Sequence, residues 1–183
     1  MRRLKLQMQV TVDGFNPDGQ SDDVDWSEIE DYSRDLLDSG DTIVIGRKTA
    51  VDFIPYWDSA AGKPGEPWHE VALRIAGARK VVFSKTLDRS DWNNTSIERG
   101  DLVEEIKRLK SASGKDIIVY GGTSFVSSLI KEGLIDEFHL FVNPIALGTG
   151  TPIFGYRENP QKLKLVKSIA YNSGLVLLHY EPR

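Results

Sequence analysis

Three short segments of this 183-residue chain place glycine, hydroxyl and cationic side chains at the ends of apolar runs: Gly46-Arg47-Lys48-Thr49, Ser84-Lys85-Thr86 and Gly121-Gly122-Thr123-Ser124. Glycine lets a backbone approach a ligand closely, hydroxyls donate to anionic oxygens, and arginine and lysine add charge-assisted hydrogen bonds. That combination suits phosphate. Taken singly, each segment is weak, because a glycine pair after a strand is also the composition of a plain tight turn. Three strand ends of this kind in one layer predict a ligand with more than one phosphate. Neither GxxxxGKS/T nor GxGxxG occurs, which argues against a P-loop nucleotidase and an ordinary Rossmann dehydrogenase.

Other candidates are fewer. Asp13, at the end of the first strand, has the chemistry of a proton donor or substrate-positioning carboxylate, and equally that of a simple Asp-Gly turn with Gly14. Phe53, Tyr56, Trp57 and Trp68 could stack on a flat heterocycle or pack a core. His69-Glu70 begins a zinc-protease motif, but Leu73 stands where its second histidine belongs. The run Asp22-Asp23-Val24-Asp25 lacks the glycine and distal glutamate of a calcium loop and reads as a solvated acidic turn. His139 and His179 fall inside strands and read as structural, so no metal site is expected. The chain has no cysteine, which removes disulfides, thiolate nucleophiles and Cys-ligated zinc together.

The elements that must position these residues follow from periodicity. Leu4, Leu6, Met8, Val10 and Val12 alternate as in a strand with one buried face. Ser27 and Glu30 form a capping box ahead of a helix that stops at Gly40. Thr42–Ile45, Lys80–Ser84, Asp116–Tyr120 and Glu137–Pro144 read as further strands. Residues 55–67, with Pro55, Gly62, Pro64, Gly65 and Pro67, read as a long loop of the kind that serves as a functional flap, and a helix follows from Trp68 to Ala76. Asp101 caps another helix, and Thr123 or Ser124 caps one running to Gly133. Leu163–Ile169 and Leu175–Tyr180, joined through Asn172-Ser173-Gly174, form a hairpin. Alternating strands and helices predict an α/β fold with a mostly parallel sheet and an antiparallel C-terminal hairpin, spanning residues 1–183 as one domain.

Composition bounds the partners. A net charge of −4 and no basic block exclude an ordinary nucleic-acid interface. The N-terminal segment interleaves Lys5, Gln7 and Gln9 with apolar residues, unlike a signal peptide, and no apolar run reaches the ~18 residues of a membrane helix. By elimination the cytoplasm is the expected location.

In register along the chain, TVDGF from Thr11, IGRKT from Ile45, VVFSKTL from Val81, VYGGTSF from Val119 and GLIDEFHLFVNPIALGTGTPIF from Gly133 resemble the dihydrofolate-reductase-like superfamily. Within it they are similar to the reductase domain of the bifunctional riboflavin-biosynthesis deaminase-reductase and its stand-alone bacterial relatives. The resemblance implies a three-layer α/β/α domain, a homodimer, and NADPH as hydride donor. It further implies that Gly46, Arg47, Lys48, Thr49, Ser84 and Lys85 hold the 2′-phosphate and pyrophosphate, with Gly121, Gly122, Thr123 and Ser124 supporting pyrophosphate and nicotinamide. The reaction implied resembles reduction of 5-amino-6-(5-phosphoribosylamino)uracil, at a C=N or C=O bond of a small heterocyclic or ribityl-type substrate. Asp13 matches the family's S-x-D-G aspartate and is the candidate catalytic residue. One position departs: the riboflavin reductases carry glutamate just before the glycine pair, and this chain has Tyr120. Dihydrofolate reductase and a nucleotide-binding protein without turnover are the alternatives.

Overall fold

The computed structural model describes residues 1–17, 19, 24–155 and 159–183. Eight strands form one sheet in the order β4-β3-β2-β5-β1-β6-β8-β7. They are β1 (Leu4–Thr11), β2 (Gly40–Gly46), β3 (Arg79–Phe83), β4 (Thr95–Glu98), β5 (Asp116–Val119), β6 (Glu137–Asn143), β7 (Leu163–Ala170) and β8 (Val176–Pro182). The first six pair in parallel, and β8 runs antiparallel to both β6 and β7. The expected architecture is therefore present. Helices α4 (Leu102–Ser111) and α5 (Thr123–Lys131) cover one face, where Ile106, Leu109, Val126 and Leu129 pack on Leu4, Leu6, Val44 and Val119. On the other face lie α1 (Glu30–Asp38), α2 (Arg47–Ala61) and α3 (His69–Gly77), with Leu36, Leu37, Val71 and Ile75 against Ile43 and Ile118. Among the described residues no helix is long and apolar enough to cross a membrane.

Several local expectations change. The segment read as a loop from Pro55 is helical as far as Ala61, because Ile54, fully buried, and the half-buried Phe53 and Trp57 tie it to the sheet face; only the stretch from Gly62 to Trp68 connects helices. β1 is a central strand with layers on both faces, so Lys5, Gln7 and Gln9 are partly buried rather than solvated, and the strand ends before the exposed Val12. Asp25, not Ser27, caps the start of the helical region: its carboxylate accepts from Ser27 N at 3.0 Å, a 3₁₀ turn spans Trp26–Ile29, and α1 begins at Glu30. The cap at Asp101 forms as read, accepting from Val103 N and Glu104 N. Asp22 and Asp23 of the acidic run lie outside the described residues.

Lys80 is fully buried. Its ammonium donates to the carbonyls of Ile75, Ala76 and Ala78 at 3.0 to 3.1 Å, closing the C-terminal end of α3. A cation there satisfies carbonyls that have no partner within the helix and sits at the negative end of its dipole.

Candidate functional site

The C-terminal ends of β2, β3 and β5 open into one cavity of about 410 Å³. Of the residues expected to meet phosphate, Gly46, Arg47, Lys48, Thr49, Ser84, Lys85, Gly122, Thr123 and Ser124 all line it. Gly121 sits one step behind: its carbonyl accepts from Gly46 N at 2.9 Å, which locks the two glycine corners together. The backbone of Gly121, at φ +106°, is open only to glycine, and the Gly121–Gly122 peptide is cis. A Cβ on Gly122 would collide with the Thr49 hydroxyl, so this glycine is required for α2 and α5 to approach each other.

The N-caps of α2 and α5 are Gly46 and Gly122, neither with a side-chain cap; Thr123 and Ser124 lie inside the first turn of α5 rather than capping it. First-turn amides without a side-chain partner, at the positive ends of two helix dipoles, are the donors that phosphate oxygens need. Arg47 and Lys48 make no ion pair among the described residues. Lys85, by contrast, donates to the carbonyls of Arg99 and Gly100 at 2.6 and 2.9 Å. Ser84 Oγ accepts from Thr86 N and Leu87 N and holds its own turn.

A second cavity, of about 430 Å³, lies on the α1–α2–α3 face. The two cavities are two residues apart at the end of β5, where Tyr120 lines the second and Gly122 the first. Phe53, Tyr56 and Trp57 from α2 form one wall, joined by Trp26, Ile29 and Trp68; Gln7 and Gln9 from β1 form the floor. Phe53 and Tyr120 rings are 5.2 Å apart at 35°, and Tyr56 meets Trp57 edge-on at 5.1 Å. Tyr120 Oη donates to Gln7 Oε1 at 2.8 Å, and Gln7 Nε2 donates to Ser33 Oγ at 2.8 Å, which fixes the Gln7 amide. Burial pushes the Tyr120 phenol up, so it stays neutral at any working pH.

Asp13 lines neither cavity. Its carboxylate accepts from Thr11 Oγ1 at 2.6 Å, Leu147 N at 3.2 Å and Gly148 N at 2.7 Å, fastening the end of β1 to the loop after β6. Those hydrogen bonds, that from Thr11 foremost, hold its carboxyl below the ordinary aspartate range. Such a group anchors a loop and is a poor proton donor at neutral pH.

Sequence reading missed two features. The first is the Gln7–Gln9 floor, whose only trace is a pair of polar residues alternating in an otherwise apolar strand. The second lies under α1, where Glu137 Oε2, His139 Nε2 and His179 Nε2 fall within 4.8 Å of one another. His139 and His179 face each other across β6 and β8 with rings stacked at 4.2 Å, and Tyr32 Oη meets His139 Nδ1 at 2.6 Å. A cation could be held by such donors, but Arg3 at 3.0 Å and Lys5 at 3.7 Å already balance Glu137 through Oε1.

Comparison with known proteins bears on the family and the fold. A family described as the RibD C-terminal domain matches residues 2–177. YyaP of Bacillus subtilis, described as uncharacterized, is 35% identical over 183 residues, covering 98% of this chain and 94% of YyaP. A Shewanella sp. PV-4 protein named for riboflavin biosynthesis superposes with a TM-score of 0.71 at 22% identity, over 100% of this chain and 99% of that one. The Thermotoga maritima diaminohydroxyphosphoribosylaminopyrimidine deaminase/5-amino-6-(5-phosphoribosylamino)uracil reductase does so with a TM-score of 0.68 at 16% identity, over 100% of this chain and 57% of that one. At these identities the two structures share the fold.

Proposed function

This chain belongs to the RibD C-terminal domain family, and on that footing we propose that it is an NADPH-dependent reductase acting on a C=N or C=O bond of a small ring. The observation that carries the reading is the convergence of three strand ends on one cavity with two uncommitted cations, abutting an aromatic cavity at Tyr120.

The residues present fit the dinucleotide. Two glycine-capped helix starts face the first cavity, a Cβ at Gly46 would crowd Phe125 at 3.0 Å, and Arg47 and Lys48 are free to pair with phosphate. NADPH, when bound, supplies the hydride. The chain's own part is to hold the phosphates at the α2 and α5 starts, to seat the acceptor ring among Phe53, Trp57 and Tyr120, and to exclude water from the ring face. No aspartate, glutamate, histidine, lysine or arginine lines the aromatic cavity among the described residues, and the phenol of Tyr120 is a weak acid. The proton that completes the reduction therefore comes from solvent. A folate reading is weaker for the same reason: a pterin held by a carboxylate would find none among the described residues of this wall. In keeping with the resemblance, we extend the reading to a homodimer, supported by the exposed outer strand β7.

Calorimetric titration with NADPH and NADH tests the core of the proposal. We expect NADPH to bind more tightly. Arg47→Ala should weaken NADPH about tenfold, the loss of one charge-assisted bond, and change NADH little, because only NADPH carries the 2′-phosphate. Equal loss for both cofactors would remove Arg47 from that role, and no binding of either would end the reductase reading.

A further inference from the structure

We infer that the ring seated in the aromatic cavity is uncharged and carries no phosphate, which sets this chain's substrate class apart from the phosphoribosylated pyrimidine in the name of the Thermotoga relative. As a statement about a substrate, this rests on the reductase reading above.

The cavity wall is the argument. Its side chains are aromatic, aliphatic or carboxamide, and none among the described residues is ionised at neutral pH. An anion drawn into such a wall loses its hydration and gains no charged partner, whereas a flat neutral ring gains stacking on Phe53, Trp57 and Tyr120. The cations that could meet phosphate, Arg47 and Lys48, line the other cavity, where the dinucleotide's own phosphates belong.

Tyr120 sharpens the contrast. Where the resembling reductases carry a carboxylate, this phenol spends its proton on Gln7 Oε1, and its ring packs beside Phe53. The wall has exchanged a charged acceptor for apolar ring surface. Gln9, whose amide has no hydrogen-bond partner among the described residues, offers both a donor and an acceptor to a ring N–H or carbonyl, beside the Tyr56 hydroxyl and the indole N–H groups of the same lining. At about 430 Å³ the space accommodates two or three fused rings.

A matched series on one ring system tests this: lumichrome with no tail, riboflavin with an uncharged tail, and FMN with the same tail phosphorylated, each titrated calorimetrically into the intact protein, with NADPH titrated separately. We expect lumichrome and riboflavin to bind and FMN to bind at least tenfold more weakly. Trp57→Ala, and Tyr56→Ala at a position exposed enough to leave the fold alone, should each weaken riboflavin severalfold while NADPH affinity holds. FMN binding as tightly as riboflavin overturns the inference. So does the absence of any flavin binding, or flavin affinity indifferent to both variants. Failure of NADPH alone would instead overturn the reductase reading and leave the ring preference to be judged by the flavin titrations.

Discussion

Glu137 lies under α1 with its side chain almost wholly buried, and its neighbours decide its charge. Burial alone would raise its pKa, but the hydrogen bond with His139 and the charges of Lys5 and Arg3 outweigh it and leave the carboxyl below its ordinary range. Across the pair, burial and the neighbouring His139 push the pKa of His179 down. The two shifts act on stability in the same direction. A carboxylate with a lowered folded pKa contributes stability above its unfolded value, about 4.3, and loses it as pH falls through the folded one. A histidine with a lowered pKa binds fewer protons folded than unfolded, so stability is full above about 6.5 and declines as pH drops towards the folded value. We expect the urea midpoint to fall in two stages between pH 7.5 and 3. His179→Phe, which keeps a ring against His139, should erase the upper stage. Glu137→Gln should cost about 3 kcal/mol at pH 7 by stranding its buried partners and should flatten the lower stage. Midpoints that follow the wild-type profile in both variants would mean these groups do not set the acid limit.

Helix α2 is the element on which both cavities depend, since its first turn lines the first and its middle carries Phe53, Tyr56 and Trp57 into the second. It is also where sequence and structure part. Proline and glycine between residues 55 and 67 are the signals of a loop, yet Pro55 is inside the helix. Its missing N–H and ring clash oppose the helix by about 3 kcal/mol. What overrides this is tertiary: Ile54 is fully buried, Trp57 meets Trp68 at 6.2 Å, and Pro55 itself is exposed, so water can reach the freed carbonyl. The corners that line the first cavity were legible because short contiguous motifs make them. The aromatic cavity was legible only as four unplaced rings, because its floor joins Gln7 to Tyr120 across 113 residues of chain, a separation that no local pattern spans. Pro55→Ala should raise the unfolding free energy by about 2 kcal/mol, the helix penalty less the entropy that proline removes from the unfolded chain. An unchanged or lower urea midpoint would show that Pro55 does not weaken α2 in the folded protein.

At the scale of the molecule, alternating strands and helices were enough to predict an α/β sheet, whereas the order of the strands was not, because β1 enters the middle of the sheet only after β5 and β6 exist to flank it. That order leaves β7 outermost, with most of its residues exposed and Leu165 and Val166 each 48% accessible at a register shift against β8. An open edge with apolar side chains is a template for pairing, and chains that stay monomeric usually blunt it with charge or cover it. Lys164 and Lys167 flank the apolar pair and discourage indiscriminate stacking, but a symmetric partner could bury Leu165 and Val166 while leaving both ammonium groups at the rim. The homodimer proposed above is therefore placed on this strand, far along the sheet from the β2, β3 and β5 ends that form the first cavity. Light scattering on the eluting protein should give twice the 20.5 kDa chain mass. Leu165→Lys combined with Val166→Lys should return it to that mass with cofactor affinity intact. A wild-type monomer would remove the dimer, and a dimer indifferent to both lysines would move it to another face.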